Sequence, residues 1–145
     1  CPQSRRLIGY VPQKGVFLES LTAREHLMFA CLLRQPKSMS KEAKMEFVDQ
    51  VIDLLSLRQI EHNQIKCLSG GEQRRCSIGS ELLVSPRLLL LDEPISGLDS
   101  AVAAQLLWSL RRLADGKGIN INEVSGEGGA KSETTTSLPQ MGILM

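Results

Sequence analysis

The sequence predicts an α/β fold built on a parallel sheet. Three observations carry that expectation. Leu88-Leu89-Leu90-Leu91 is a continuous apolar run ending in acid, and unbroken rather than alternating apolarity suits a strand covered on both faces. Residues Phe47, Val48, Val51, Ile52 and Leu55 recur at helical period. A second stripe, Val102, Leu106, Leu110 and Leu113, follows the apolar run in the same way.

The elements follow in order. The short run Leu7 to Val11 predicts a strand at about 6–11, stopped by Pro12, with a loop to Ser20. Thr22 and Glu25 stand three residues apart, the spacing of a capping box, and open a helix that Gln35-Pro36 ends. After a polar stretch from Ser38, a second helix is expected from about Lys41 to Ser56. Ser69 and Glu72 form another capping-box pattern, starting a helix that stops near Ser85-Pro86. The Leu88–Leu91 strand comes next. Asp99 then caps a helix running to about Ala114, ended by Asp115-Gly116-Lys117-Gly118. The tail, 116–145, is rich in Gly, Ser, Thr and Asn and is expected to be poorly ordered. Its main apolar patch is Met141 to Met145, and Ile119 to Val124 could start a strand.

Composition narrows the function. The 145 residues fit one domain. With 17 basic against 16 acidic residues the net charge is +1, which argues against a nucleic-acid-binding tail or a polybasic anchor. No apolar run approaches the roughly 20 residues of a membrane-spanning helix. Aromatics are 3%, so the core must be aliphatic and base stacking has few platforms. Cys1, Cys31, Cys67 and Cys76 show no zinc-finger spacing. With no leader pattern, they predict a reduced, intracellular compartment, with Cys31, Cys67 and Cys76 as small apolar fillers. The chain opens on Cys1 rather than Met, as expected of a fragment, a processed product or an incomplete gene model.

Three segments carry chemistry. Ser69-Gly70-Gly71 sits at a helix N-terminus, where open N–H groups and the helix dipole favour an anion, and glycines let a phosphate approach. Asp92 should project from the carboxyl edge of a buried strand, where open α/β sheets bind ligands. A carboxylate there can hold Mg²⁺, and the following Glu93 can act as a general base on water. His26 and His62 read as surface or packing residues, and Arg74 and Arg75 as solvated.

Val11-Pro12-Gln13, Leu68 to Arg75 and Leu88 to Asp99 stand in a fixed order that resembles the nucleotide-binding domain of ABC transporters. The likeness covers about residues 5–115. Thr22 to Leu27 and Leu32 to Glu42 resemble the G subfamily, of the pleiotropic-drug-resistance type. The resemblance implies a P-loop NTPase core of ABC type, here partial, with a helical subdomain inserted at about 18–75. It implies ATP and Mg²⁺ as cofactors. Asp92 is similar to the Walker B aspartate, Glu93 to the catalytic glutamate, and Gln13 to the Q-loop glutamine, a second metal ligand. Ser69, Gly70, Gly71 and Gln73 match the nucleotide-facing signature, and Asp99 the D-loop that crosses to a partner domain. Ile95 stands where the family usually has Thr.

The implied partners are a second nucleotide-binding domain, paired head to tail, and the transmembrane domain of a parent exporter of hydrophobic compounds or lipids. Such a domain lies on the cytoplasmic face of a membrane, with no nucleic acid involved. No G-x-x-x-x-G-K-[ST] loop precedes Gln13. Ser125 to Ser132 is a near-match, with Ser125 and Ala130 replacing two required glycines. The family's switch histidine is likewise missing. Two alternatives follow: a catalytically dead subunit that only pairs with a complete domain, and a soluble ABC ATPase.

Overall fold

Short strands side by side make the frame. The computed structural model describes residues 8–115 and 142–144. Strands β1 (Ile8–Val11), β2 (Leu88–Leu91) and β3 (Gly142–Leu144) form one parallel sheet in that order. Between β1 and β2 lie α1 (Ala23–Arg34), α2 (Lys41–Leu54), a 3₁₀ turn (Ile65–Cys67) and α3 (Gly70–Leu82). Helix α4 (Ser100–Ala114) follows β2. Val11 pairs with Leu91, and the Asp92 N–H donates to the Val11 carbonyl at 3.1 Å. The two segments that follow, Pro12-Gln13 and Asp92-Glu93, therefore leave the sheet together at one edge.

The helices start where their side chains satisfy the first N–H groups. At α1, the Glu25 N–H donates to Thr22 Oγ1 at 3.2 Å and the Thr22 N–H to Glu25 Oε2 at 2.8 Å. These bonds hold the Glu25 carboxyl below its usual range. At α2 the cap is Ser40, whose Oγ accepts from the Ala43 N–H at 3.1 Å. Asp99 Oδ1 accepts from the Ala101 and Val102 N–H groups at 3.1 and 3.0 Å, opening α4.

One aliphatic core joins these elements. Phe47, Ile52 and Leu55 from α2 meet Leu27 of α1 and Ile78 and Leu82 of α3 in the same buried cluster. Leu89, Leu106 and Leu110 bring in β2 and α4. Val102, expected in the α4 stripe, is only half-buried. The continuous leucines of β2 predict cover on both faces; the core takes Leu89 and Leu91, while Leu88 and Leu90 stay half-buried. Successive strand residues point to opposite faces, and Ile8, Tyr10 and Leu144 on this sheet are exposed.

Helix α1 comes close enough to α3 that Gly79 has no room for a side chain. A Cβ there would lie 3.0 Å from Leu27 Cδ2 and 3.2 Å from both Leu55 Cδ1 and Val51 Cγ1. Gly79→Val is expected to destabilise the domain by about 1–3 kcal/mol through overpacking, read as a lower urea midpoint.

Ion pairs fasten the outside of the same helices. The Arg24 guanidinium pairs with Asp49 and, at 2.7 Å, with Glu61, while Arg58 reaches Asp49 at 2.9 Å and Asp53 at 2.7 Å. Glu61 is buried beneath them, which is tolerable because it is paired.

Two expectations change. The tail is not wholly irregular, because Gly142–Leu144 pairs with Leu88–Leu90: a short apolar run can find a place beside a leucine strand. The Ser125–Ser132 near-match and Ile119–Val124 lie outside the described residues, as does Cys1. Of the three cysteines, Cys31 and Cys76 are buried thiols but Cys67 is exposed, because it stands in the 3₁₀ turn rather than on a core-facing helix. Burial pushes the Cys76 thiol up to about 12.

Candidate functional site

The edge where β1 and β2 end gathers the predicted residues. Gln13 Nε2 donates to Glu93 Oε2 at 3.1 Å, across 80 residues of sequence. This leaves the Gln13 amide oxygen open to another partner. The Tyr10 hydroxyl donates to Asp92 Oδ2 at 3.4 Å. Glu93 takes a left-handed backbone, φ +47, a conformation costing about 1 kcal/mol or more for a residue with a Cβ. The chain turns sharply there, so Asp92 and Glu93 face different ways. Asp92 opens with Tyr10 and Leu144 onto a shallow cavity of about 240 Å³. Glu93 lines a larger cleft of about 510 Å³ with Gln13, Lys14, Gly70, Arg74 and Gly97.

Of the Ser69–Gly71 turn, Gly70 lines the same cleft. Ser69 caps α3: the Glu72 N–H donates to Ser69 Oγ at 3.3 Å and the Ser69 N–H to Glu72 Oε2 at 2.8 Å. The Ser69 hydroxyl itself donates to Glu72 Oε2 at 2.8 Å, so it is engaged within the turn. The anion-facing donors that remain are the backbone N–H groups of the first helical residues, Gly70 and Gly71. The two glycines differ. A Cβ on Gly70 would meet nothing within 4 Å, whereas one on Gly71 would lie 3.0 Å from Leu98 Cδ2 and 3.4 Å from Val102 Cγ1. Gly70 is open to a ligand; Gly71 makes room for the chain's own 96–99 loop and α4.

One expectation about a side chain needs correcting, and another is refined. Gln73, read as nucleotide-facing, lines the cleft, but its amide nitrogen is engaged with the backbone, donating to the Ile65 carbonyl at 3.1 Å and the Leu68 carbonyl at 3.3 Å. It holds the 3₁₀ turn against α3. Arg74, read as solvated, is buried. Its guanidinium donates to the carbonyls of Pro12 and Asp92. Burial lowers its pKa, and the carboxylates of Asp92 and Glu93 oppose that shift. The sequence signal that could have found it is its position four residues after Gly70, on the same helix face.

Asp99 is exposed and acts on the described residues as the α4 cap. Ile95 is exposed too, at 44%, so the missing hydroxyl disturbs no packing. His26 packs its ring on Phe17, with centroids 5.2 Å apart, and burial together with Arg34 holds its pKa below the imidazole norm.

The donor set fits Mg²⁺ with a nucleotide. Mg²⁺ favours one or two carboxylate or amide oxygens together with phosphate and water. Asp92 and the free oxygen of Gln13 are of that kind, and both residues are exposed. Among the described residues no cluster of three or more His, Cys, Asp or Glu could hold a metal ion by itself. No helix among them is long and apolar enough to cross a membrane.

The family pattern described as ABC transporter matches residues 1–96. The chain is 46% identical over 116 residues to ABC transporter G family member 24 of Dictyostelium discoideum, an alignment covering 77% of this chain and 10% of that protein. It is also 46% identical over 116 residues to ABC transporter CDR4 of Candida albicans, covering 77% of this chain and 8% of that one. The chain thus spans a tenth or less of the length of these two relatives. Among solved structures, it is similar to a dimeric, post-hydrolysis form of the ATP-binding cassette MJ0796 bound to ADP and phosphate. The TM-score is 0.70 at 27% identity, over 81% of this chain and 52% of that one.

Proposed function

The chain belongs to the ABC transporter family, and from that premise we propose that it is the catalytic part of an ATPase domain driving a G-type exporter. One observation carries the reading. Gln13, Gly70 and Glu93, from three distant segments, line a single cleft. Acid, amide and an open helix N-terminus are the groups that nucleotide hydrolysis needs, and on one face they can serve two nucleotides shared with a head-to-tail partner.

In this reading Glu93 accepts the proton of the attacking water, with its carboxylate oriented by the Gln13 amide. Asp92 and the Gln13 oxygen, which open onto different cavities, would each offer Mg²⁺ a ligand, and the ion when bound would neutralise charge on the nucleotide phosphates. The Gly70 and Gly71 N–H groups meet the terminal phosphate of ATP held chiefly by a second nucleotide-binding domain, docked head to tail. Asp99 fixes the 96–99 loop by capping α4, so that the loop faces the same partner. The whole protein adds a transmembrane domain, places this domain on the cytoplasmic face of the membrane, and exports hydrophobic compounds or lipids.

The test is Gly70→Asp in the complete transporter. The site has open space for a side chain, and an acid in the first helical turn does not destabilise the helix. Thermal unfolding should stay unchanged. Phosphate release should fall by about 100-fold or more, because a fixed negative charge meets the phosphate and the amide donors are lost to it. Unchanged turnover would remove this turn from the nucleotide site.

A further inference from the structure

We propose that Arg74 is a positioning residue of the ATPase site, stapling the ends of β1 and β2 to the helix that presents Gly70. The inference rests on the reading above and adds to it a residue whose guanidinium is spent on two backbone carbonyls.

One Arg74 nitrogen donates to the Pro12 carbonyl and another to the Asp92 carbonyl. These are the peptides immediately before Gln13 and Glu93. A guanidinium is a flat fork of fixed geometry, suited to holding two acceptors at once. Here the two acceptors belong to neighbouring strands. The Asp92 carbonyl also precedes Glu93, the one cleft residue with a side chain whose backbone is left-handed, φ +47. A strained residue persists only where its surroundings hold it, and Arg74 supplies a charged donor at that peptide.

Arg74 acts on the Gly70 turn as well. It follows Gly70 by four residues in α3, so the two share a helix face, and both line the cleft. Anchoring Arg74 to the strand ends sets how the Gly70 turn stands relative to Gln13 and Glu93 on the face that a head-to-tail partner meets. Arg74 is 9% exposed, so its fork has little solvent to share. Arg74 therefore governs the placement of Gln13 and Glu93 at the strand ends, with its guanidinium spent on backbone carbonyls.

The experiment is steady-state ATP hydrolysis by the complete transporter carrying Arg74→Met or Arg74→Lys, with Glu93→Gln alongside. Arg74→Met should lower kcat by about tenfold or more while KM for ATP stays within about threefold, since misplacement affects the reacting geometry more than ground-state binding. Arg74→Lys, whose single ammonium reaches one carbonyl at a time, should recover part of that loss. A wild-type kcat per folded molecule in Arg74→Met overturns the proposal, as does KM rising in step with the loss, or no recovery in Arg74→Lys. Where Arg74→Met does not fold, Arg74→Lys decides alone: a lowered kcat at unchanged KM supports the staple, and any other result overturns it. Glu93→Gln separates the two levels. Wild-type turnover in that variant removes the reading of the site itself, whereas its loss beside a silent Arg74→Met removes only Arg74.

Discussion

Glu93→Gln is expected to lower ATP turnover by about 10²–10⁴-fold with nucleotide affinity nearly unchanged, the loss typical of a missing general base. The substitution keeps the shape of the side chain. It also keeps a partner for Gln13, because an amide oxygen can accept the hydrogen bond that Glu93 Oε2 accepts at 3.1 Å. What disappears is the capacity to take a proton from water. Phosphate release and binding of a fluorescent ATP analogue, measured on the same preparation, check the two halves of the expectation. Near-normal turnover would assign water activation to another group and make the Gln13–Glu93 contact a structural one.

Phe47→Ala is expected to cost about 3–5 kcal/mol of stability, the range for emptying a buried aromatic site. Phe47 is 0% exposed and is the largest fully buried side chain of the cluster joining α1, α2 and α3. The backbone of three packed helices cannot collapse into the space left, so the lost contacts are not recovered. Phe29 makes the contrast. It lies on α1 at 45% exposure, and Phe29→Ala should change stability by no more than about 0.5 kcal/mol. Urea unfolding of both variants measures the difference. Equal midpoints would mean that the helical core is not a cooperative unit.

Much of the fold was legible because the signals are local. Thr22 with Glu25, Ser69 with Glu72, and Asp99 with its two following amides each close bonds within three residues. Three helices could therefore be started with no knowledge of what they pack on. Ser40 was passed over because it offers a cap without a reciprocal acid at the third helical position, where Ala43 stands. Leu88–Leu91 declared a strand through its composition, but its composition could not say how much of each face the helices would cover.

The candidate site was half legible. Motif order placed Gln13, Ser69-Gly70-Gly71, Asp92 and Glu93 in one list, and the structure brings Gln13, Gly70 and Glu93 to one cleft. It sets Asp92 on the other side of the β2 end, because the left-handed Glu93 rotates the chain between them. Arg74 was misread for a simple reason. A long polar side chain on a helix is solvated by default, and only the neighbours brought in by folding can make it worth burying.

Sequence alone determined where the helices begin, which residues are apolar enough to form the core, and which acids and glycines are available for chemistry. Those features arise from interactions among residues a few positions apart. Tertiary structure decided that Gly142–Leu144 joins the sheet, that Gly71 yields its space to Leu98, and that Arg74 ties together carbonyls 62 and 18 residues away. Contacts at that separation depend on the register of two strands and the rotation of one helix, which residue order leaves open until the core has packed.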